Sequence, residues 1–102
     1  MEEKNSGNTC PFTEATGLLS GKWTLSIVNT LMTGTMRFSE LERAVTGINT
    51  RMLARELKAL EANGLVYREA YATVPPTVEY TLTEKGRSLG PVMQLIQQWA
   101  TT

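Results

Sequence analysis

Histidine and aspartate are both missing from the 102 residues. No catalytic triad or dyad that needs either residue can therefore be built from this chain alone. Cysteine occurs once, as Cys10, so no internal disulfide can close and no four-ligand zinc site can be supplied. One thiol suits the reducing cytoplasm, although it leaves open a bond between identical chains. Net charge is also lacking: ten Lys plus Arg balance ten Glu. The chain is not a basic polymer-binding tail, and any nucleic-acid contact must come from where the charges sit. Long apolar runs are missing too. The uncharged stretch Trp23 to Met36 is broken by Asn29, Thr30 and Gly34, and no 18-residue apolar span exists to cross a membrane. The first nine residues are polar, so no secretory leader is expected. Glutamate alone could act as acid or base, but no spaced pair marks a pocket and no glycine-rich phosphate loop follows a strand. No enzyme, cofactor or metal is expected.

What remains is one domain's worth of chain. Hydrophobic residues make up 41% and charged residues 20%, which favours a packed fold over disorder. A monomer of this size hides only roughly 60–65% of the surface its unfolded chain exposes, so a partner subunit adds useful stability. Residues 1–9 carry no apolar period and read as a mobile end; residues 10–102 read as the folded domain.

Pro11 suits the first turn of a short helix through about Leu19. Ser20 is expected to cap a second helix, with Trp23, Ile27 and Leu31 on its core side, ended at Gly34. Ser39 and Glu42 have capping-box spacing, predicting a short helix from Ser39 to about Val45 that Thr46-Gly47 stops. Asn49 caps the next helix, with Ile48 and Leu53 as the two ends of a hydrophobic staple. In it Leu53, Leu57 and Leu60 form an apolar line, and Arg51, Arg55 and Lys58 form a separate basic one. Asn63-Gly64 ends it. The period then changes to two, which predicts strands over Leu65–Tyr71 and Thr77–Leu82 joined by Ala72–Pro76. A short strand at Thr35–Arg37 would give this hairpin an edge partner. Thr83 can cap a last helix from Glu84 to about Ala100, which would span ~26 Å. Two helices across a tight turn, then a hairpin, then a long helix, describe an α+β winged helix-turn-helix domain.

Several segments resemble the HxlR-type winged-helix transcriptional regulators of the broader MarR-like group. They are Cys10-Pro11, GKWTLSIVNTL (Gly21–Leu31), RFSEL (Arg37–Leu41), GINTRMLARELKALEANGLV (Gly47–Val66), VPPTVEYTLTEKG (Val74–Gly86) and LIQQWA (Leu95–Ala100). They run in the family's order from Cys10 to Ala100. The resemblance implies a homodimer on operator DNA, with the first and last helices forming much of the subunit interface. It also implies that the Cys of the Cys-Pro pair, here Cys10, can sense electrophiles or oxidants. Two departures stand out: the loop Ala72–Pro76 has no cation, with Thr77 where relatives often carry one, and Asn63 replaces a common acidic residue.

From Arg37 to Arg68 six basic residues face four acidic ones, a local excess of two in a neutral chain. Asn49, Thr50, Arg51 and Arg55 are the candidates to face bases, with Lys58 nearer the backbone. Arg37 and Arg43 are expected to meet phosphates beside the groove, Ser39 is a further DNA-binding candidate, and Lys22 is a candidate to meet phosphate from the second helix. The plainer alternative is that Arg51, Arg55 and Lys58 form a solvated helix face. Phe12, Leu18, Leu19, Met93, Ile96 and Trp99 are the candidates for a two-fold interface, against the alternative that the last helix merely closes the core. Trp23 is read as core. Cys10 stands at a helix start, where amide dipoles favour thiolate; the alternative is an incidental thiol. A winged-helix protein–protein module is the competing functional class, favoured by the uncharged wing. No residue identifies a small-molecule or oxidant effector, the operator sequence, or repression against activation.

Overall fold

The structure is a computed structural model that describes residues 11–102; the polar end 1–9 and Cys10 lie outside the described residues. The elements follow the expected order: α1 (Pro11–Leu18), α2 (Thr24–Leu31), β1 (Met36–Arg37), α3 (Phe38–Ala44), α4 (Thr50–Ala62), β2 (Val66–Tyr71), β3 (Thr77–Leu82), α5 (Glu84–Arg87) and α6 (Leu89–Ala100). This is an α+β winged helix-turn-helix with a three-stranded antiparallel sheet in the order β1-β3-β2.

Local chemistry accounts for most boundaries. Pro11 is the first residue of α1, where a missing N–H costs nothing. Ser20 does not start α2. Its hydroxyl donates to the Gly17 carbonyl at 3.0 Å, closing the end of α1 instead, and α2 begins only at Thr24 after the turn at Gly21–Trp23. The Ser39–Glu42 box is displaced as well. Helix α3 begins at Phe38, and the Glu40 carboxylate accepts from the Arg37 N–H at 2.8 Å. Only half of a box forms there, because a guanidinium has no acceptor to offer in return. Asn49 behaves as its sequence predicts: Oδ1 accepts from the Met52 N–H at 2.8 Å. Helix α4 ends at Gly64, whose φ of +75° lies where side-chain-bearing residues are strained.

The wing pairs Val66 with Leu82 and Arg68 with Tyr80 on its inner face, and Tyr67 with Thr81 on its outer face. On the other edge of β3, Met36 faces Tyr80 and Arg37 faces Glu79. The long last helix is interrupted at Ser88, so α5 and α6 are separate. Pro91 has no N–H to give the Arg87 carbonyl, so the helical ladder lacks a rung at that point. The Thr83 hydroxyl accepts from the Gly86 N–H at 3.0 Å and donates to the Gly64 carbonyl at 2.6 Å, tying α5 to the end of α4.

The core lies where α2, α3, α4 and the inner face of the wing meet. Ile27, Val28, Leu31, Leu41, Leu53, Leu57, Leu60, Val66 and Leu82 are all essentially buried. Each such leucine contributes about 2 kcal/mol by leaving water. Together they hold α4 across the front of the domain, with its other side free.

Candidate nucleic-acid interface

At about 100° per residue, the leucines of α4 lie on one side and Arg51, Arg55 and Lys58 on the opposite side. All three cations are exposed, and no carboxylate among the described residues pairs with them. Asn49 and Thr50, at the start of the same helix, are exposed but engaged. Asn49 uses its side-chain carbonyl to cap the helix, which leaves its NH2 donors for other partners. The Thr50 hydroxyl donates to the Glu42 carboxylate on α3. The outward line on α4 is therefore led by its two arginines.

Ser39 and Arg43 are exposed on α3. Lys22 belongs to the turn before α2 rather than to the helix, and its ammonium lies over the Trp23 ring, 5.1 Å from the centroid. Trp23 itself is half-buried and packs against the core. Arg37 stands apart from the α4 line. It lies in β1 opposite Glu79, which in turn lies opposite Glu69. These two glutamates make the wing's outer face acidic. Desolvation and the adjoining Glu69 and Glu79 carboxylates push the Tyr71 hydroxyl above the usual phenol range.

The wing loop has no cation. Its Val74 side chain is fully exposed, and the loop is braced by the Thr73 hydroxyl, which meets the Pro75 carbonyl at 2.7 Å and the Thr77 hydroxyl at 3.2 Å. On α1 and α6, Phe12, Leu95, Ile96 and Trp99 are exposed, Trp99 by 78%. Leu18, Leu19 and Met93 are half-buried, the last two against the core. A groove of about 320 Å³ runs between α2 and α6, lined by Leu25, Asn29, Met93 and Ile96 among others. No group of acidic or thiol side chains among the described residues could hold a metal.

The sequence marks Glu42 only as a capping residue for α3 and gives Glu56 no role, yet both carboxylates bear on α4. Glu42 holds Thr50, and Glu56 accepts from the Thr24 hydroxyl at 3.2 Å. The spacing of α4 marks Glu56 as lying on the flank between the leucines and the arginines; its partner 32 residues away is visible only in the fold.

The family model of HxlR-like helix-turn-helix proteins matches residues 18–102. The chain belongs to that family. An HxlR-like protein is a DNA-binding helix-turn-helix transcriptional regulator and not an enzyme. An HTH-type transcriptional regulator of Methanothermobacter thermautotrophicus is 44% identical over 90 residues, covering 88% of this chain and 69% of that protein. The HTH-type transcriptional regulator YodB of Bacillus subtilis is 45% identical over 96 residues, covering 92% and 86%. The reduced form of YodB superposes with a TM-score of 0.81 at 43% identity, over 90% of this chain and 91% of that one. YodB has also been solved diamide-treated, with a TM-score of 0.78, and quinone-bound, with 0.77. A MarR-family transcriptional regulator from Porphyromonas gingivalis W83 superposes at 0.86, with 37% identity over 97% of both chains. The HxlR-like resemblance seen in the sequence is thus matched in both sequence and fold. No described helix is long and apolar enough to cross a membrane.

Proposed function

We propose that this HxlR-like regulator works as a homodimer that reads an inverted-repeat operator, one α4 in each of two successive major grooves. The observation that carries the reading is the line Arg51, Arg55 and Lys58, exposed, without an acidic partner among the described residues, and opposite the leucines that anchor it. A major groove admits one such helix, and the arginine fork fits the O6 and N7 acceptors of guanine. Arg43 and Ser39 lie on the adjoining helix, suited to phosphate; Lys22 and Arg37 flank it. The uncharged wing loop lends no phosphate salt bridge.

The partner copy is expected on the α1–α6 side. Support comes from Phe12, Ile96 and Trp99, each more exposed than a monomer's core side chain would be, and from the half-buried Leu18, Leu19 and Met93 on or next to the same two helices. Reading successive major grooves requires a two-fold axis that sets the α4 helices about 34–36 Å apart. Selection of bound duplexes from a random library tests this: recovered sequences should carry inverted symmetry at that spacing. Recovery without symmetry would rule out the paired arrangement, and no enrichment would rule out sequence reading.

Cys10 is the proposed switch. Support comes from the relative YodB, whose diamide-treated and quinone-bound forms are known, and from the position of Cys10 directly before α1. Attack of its thiolate on a quinone, or a disulfide formed with another thiol by loss of two electrons to diamide, would shift α1 and the spacing of the paired helices. Operator affinity should fall after diamide treatment and stay constant in Cys10→Ser. Unchanged binding by fully modified protein would dispose of the switch.

A further inference from the structure

Beyond the side chains proposed to face DNA, one carboxylate links α4 to α2. Glu56 lies on the flank of α4, half-buried, next in sequence to Arg55. Its Oε1 accepts from the hydroxyl of Thr24, which is itself 4% exposed and opens α2. A Cβ on Gly21 would fall 2.4 Å from that hydroxyl and 3.2 and 3.3 Å from the two carboxylate oxygens. The glycine therefore leaves a notch shaped to the pair. Negative charge at this point also complements the amino end of α2.

The leucines of α4 fix how closely the helix approaches the core, but aliphatic contacts are non-directional and tolerate a small roll about the helix axis. A hydrogen bond on the flank does not. At a side-chain radius of about 6 Å, a roll of ~20° carries an arginine head by about 2 Å. The donor–acceptor window of a good hydrogen bond is only about 0.5 Å wide. We infer that Glu56 is a positioning residue for DNA recognition: by seating its carboxylate on Thr24 in the Gly21 notch, it sets the roll of α4 and so aims Arg51 and Arg55. The inference rests on the operator-reading function proposed above.

The test measures binding to an operator recovered by selection and to an unrelated duplex of equal length, for wild type, Glu56→Ala, Glu56→Gln, Thr24→Val and Thr24→Val with Glu56→Ala. Glu56→Ala and Thr24→Val should each lower operator affinity about tenfold while leaving affinity for the unrelated duplex within about twofold. The double variant should be no weaker than either single one, because both remove the same contact. Glu56→Gln keeps an acceptor at the same reach and should recover to within about threefold of wild type. Thr24→Val is nearly isosteric, so it carries the test if Glu56→Ala does not fold. Equal losses on both duplexes, additive losses in the double variant, or folded variants with wild-type operator affinity would each overturn the positioning role. If wild type itself selects no duplex, the operator-reading function falls, and the aiming role falls with it; wild type binding normally alongside unaffected variants removes the aiming role alone.

Discussion

Replacing Lys58 with alanine should flatten the salt dependence of operator binding without changing which sequence is preferred. Lys58 lies seven residues beyond Arg51 on α4, about 10 Å farther along the axis. That is close to the ~12 Å width of a major groove, so if Arg51 lies over bases as proposed, Lys58 would reach the phosphates at the edge. If Lys22, Arg37, Arg43 and Lys58 each meet one phosphate in both copies of the proposed dimer, about 8 contacts form and the log–log salt slope is near −7. Removing Lys58 from both copies takes away about two contacts and should bring the slope to about −5.4. Between 50 and 200 mM salt the wild-type affinity should then fall roughly 20,000-fold and the variant's roughly 2,000-fold. Fluorescence anisotropy of a labelled operator across that range measures both slopes. A slope unmoved by the substitution would show that Lys58 does not meet phosphate. A wild-type affinity almost indifferent to salt would refute the account of the whole surface.

Arg55→Ala should behave differently from Lys58→Ala: about 1–3 kcal/mol lost per half-site on the best operator, with relaxed preference at the affected base pair, read by competition titration. Gly86→Ala tests the seat of α5, because a Cβ there would lie 2.1 Å from the Leu65 carbonyl oxygen. Backbone cannot retreat cheaply from such overlap, so a cost of about 3 kcal/mol and a melting temperature lower by roughly 12–24 °C are expected by circular dichroism; a drop under 3 °C would contradict that packing. Trp99→Ala should shift sedimentation mass from about twice 11.3 kDa toward 11.3 kDa. A wild-type mass near 11.3 kDa at micromolar concentration would exclude the dimer itself.

Much of this architecture is legible in the sequence because its signals are local. Asn49 with the leucine period marks α4, Gly64 marks its end, and the change to a period of two marks the wing. The displaced start of α3 shows where local signals compete. Glu40 and Glu42 both stand at box spacing from a preceding residue, Arg37 and Ser39 respectively. The structure selects Glu40, because β1 ends at Arg37 where it pairs with β3, and Phe38 packs against the core. Nothing near Ser39 in sequence encodes that pairing of Met36 with Tyr80 and of Arg37 with Glu79. The break between α5 and α6 has a local sign in Pro91, whose missing N–H outweighs the continuous apolar pattern around it. The reading of α4 divides in the same way. Periodicity alone places Arg51 and Arg55 outward, whereas the engagement of Thr50 with Glu42, and of Glu56 with Thr24, depends on helices brought together by folding.

The tip of the wing, braced by threonine hydroxyls and two prolines, bears on how ionic strength should be interpreted. Ala72–Pro76 carries no charged side chain, so the brace of hydroxyl and carbonyl groups at the tip contains no ion pair for dissolved electrolyte to screen. Whatever ionic strength does to binding by this regulator, the tip itself has no charge through which to take part.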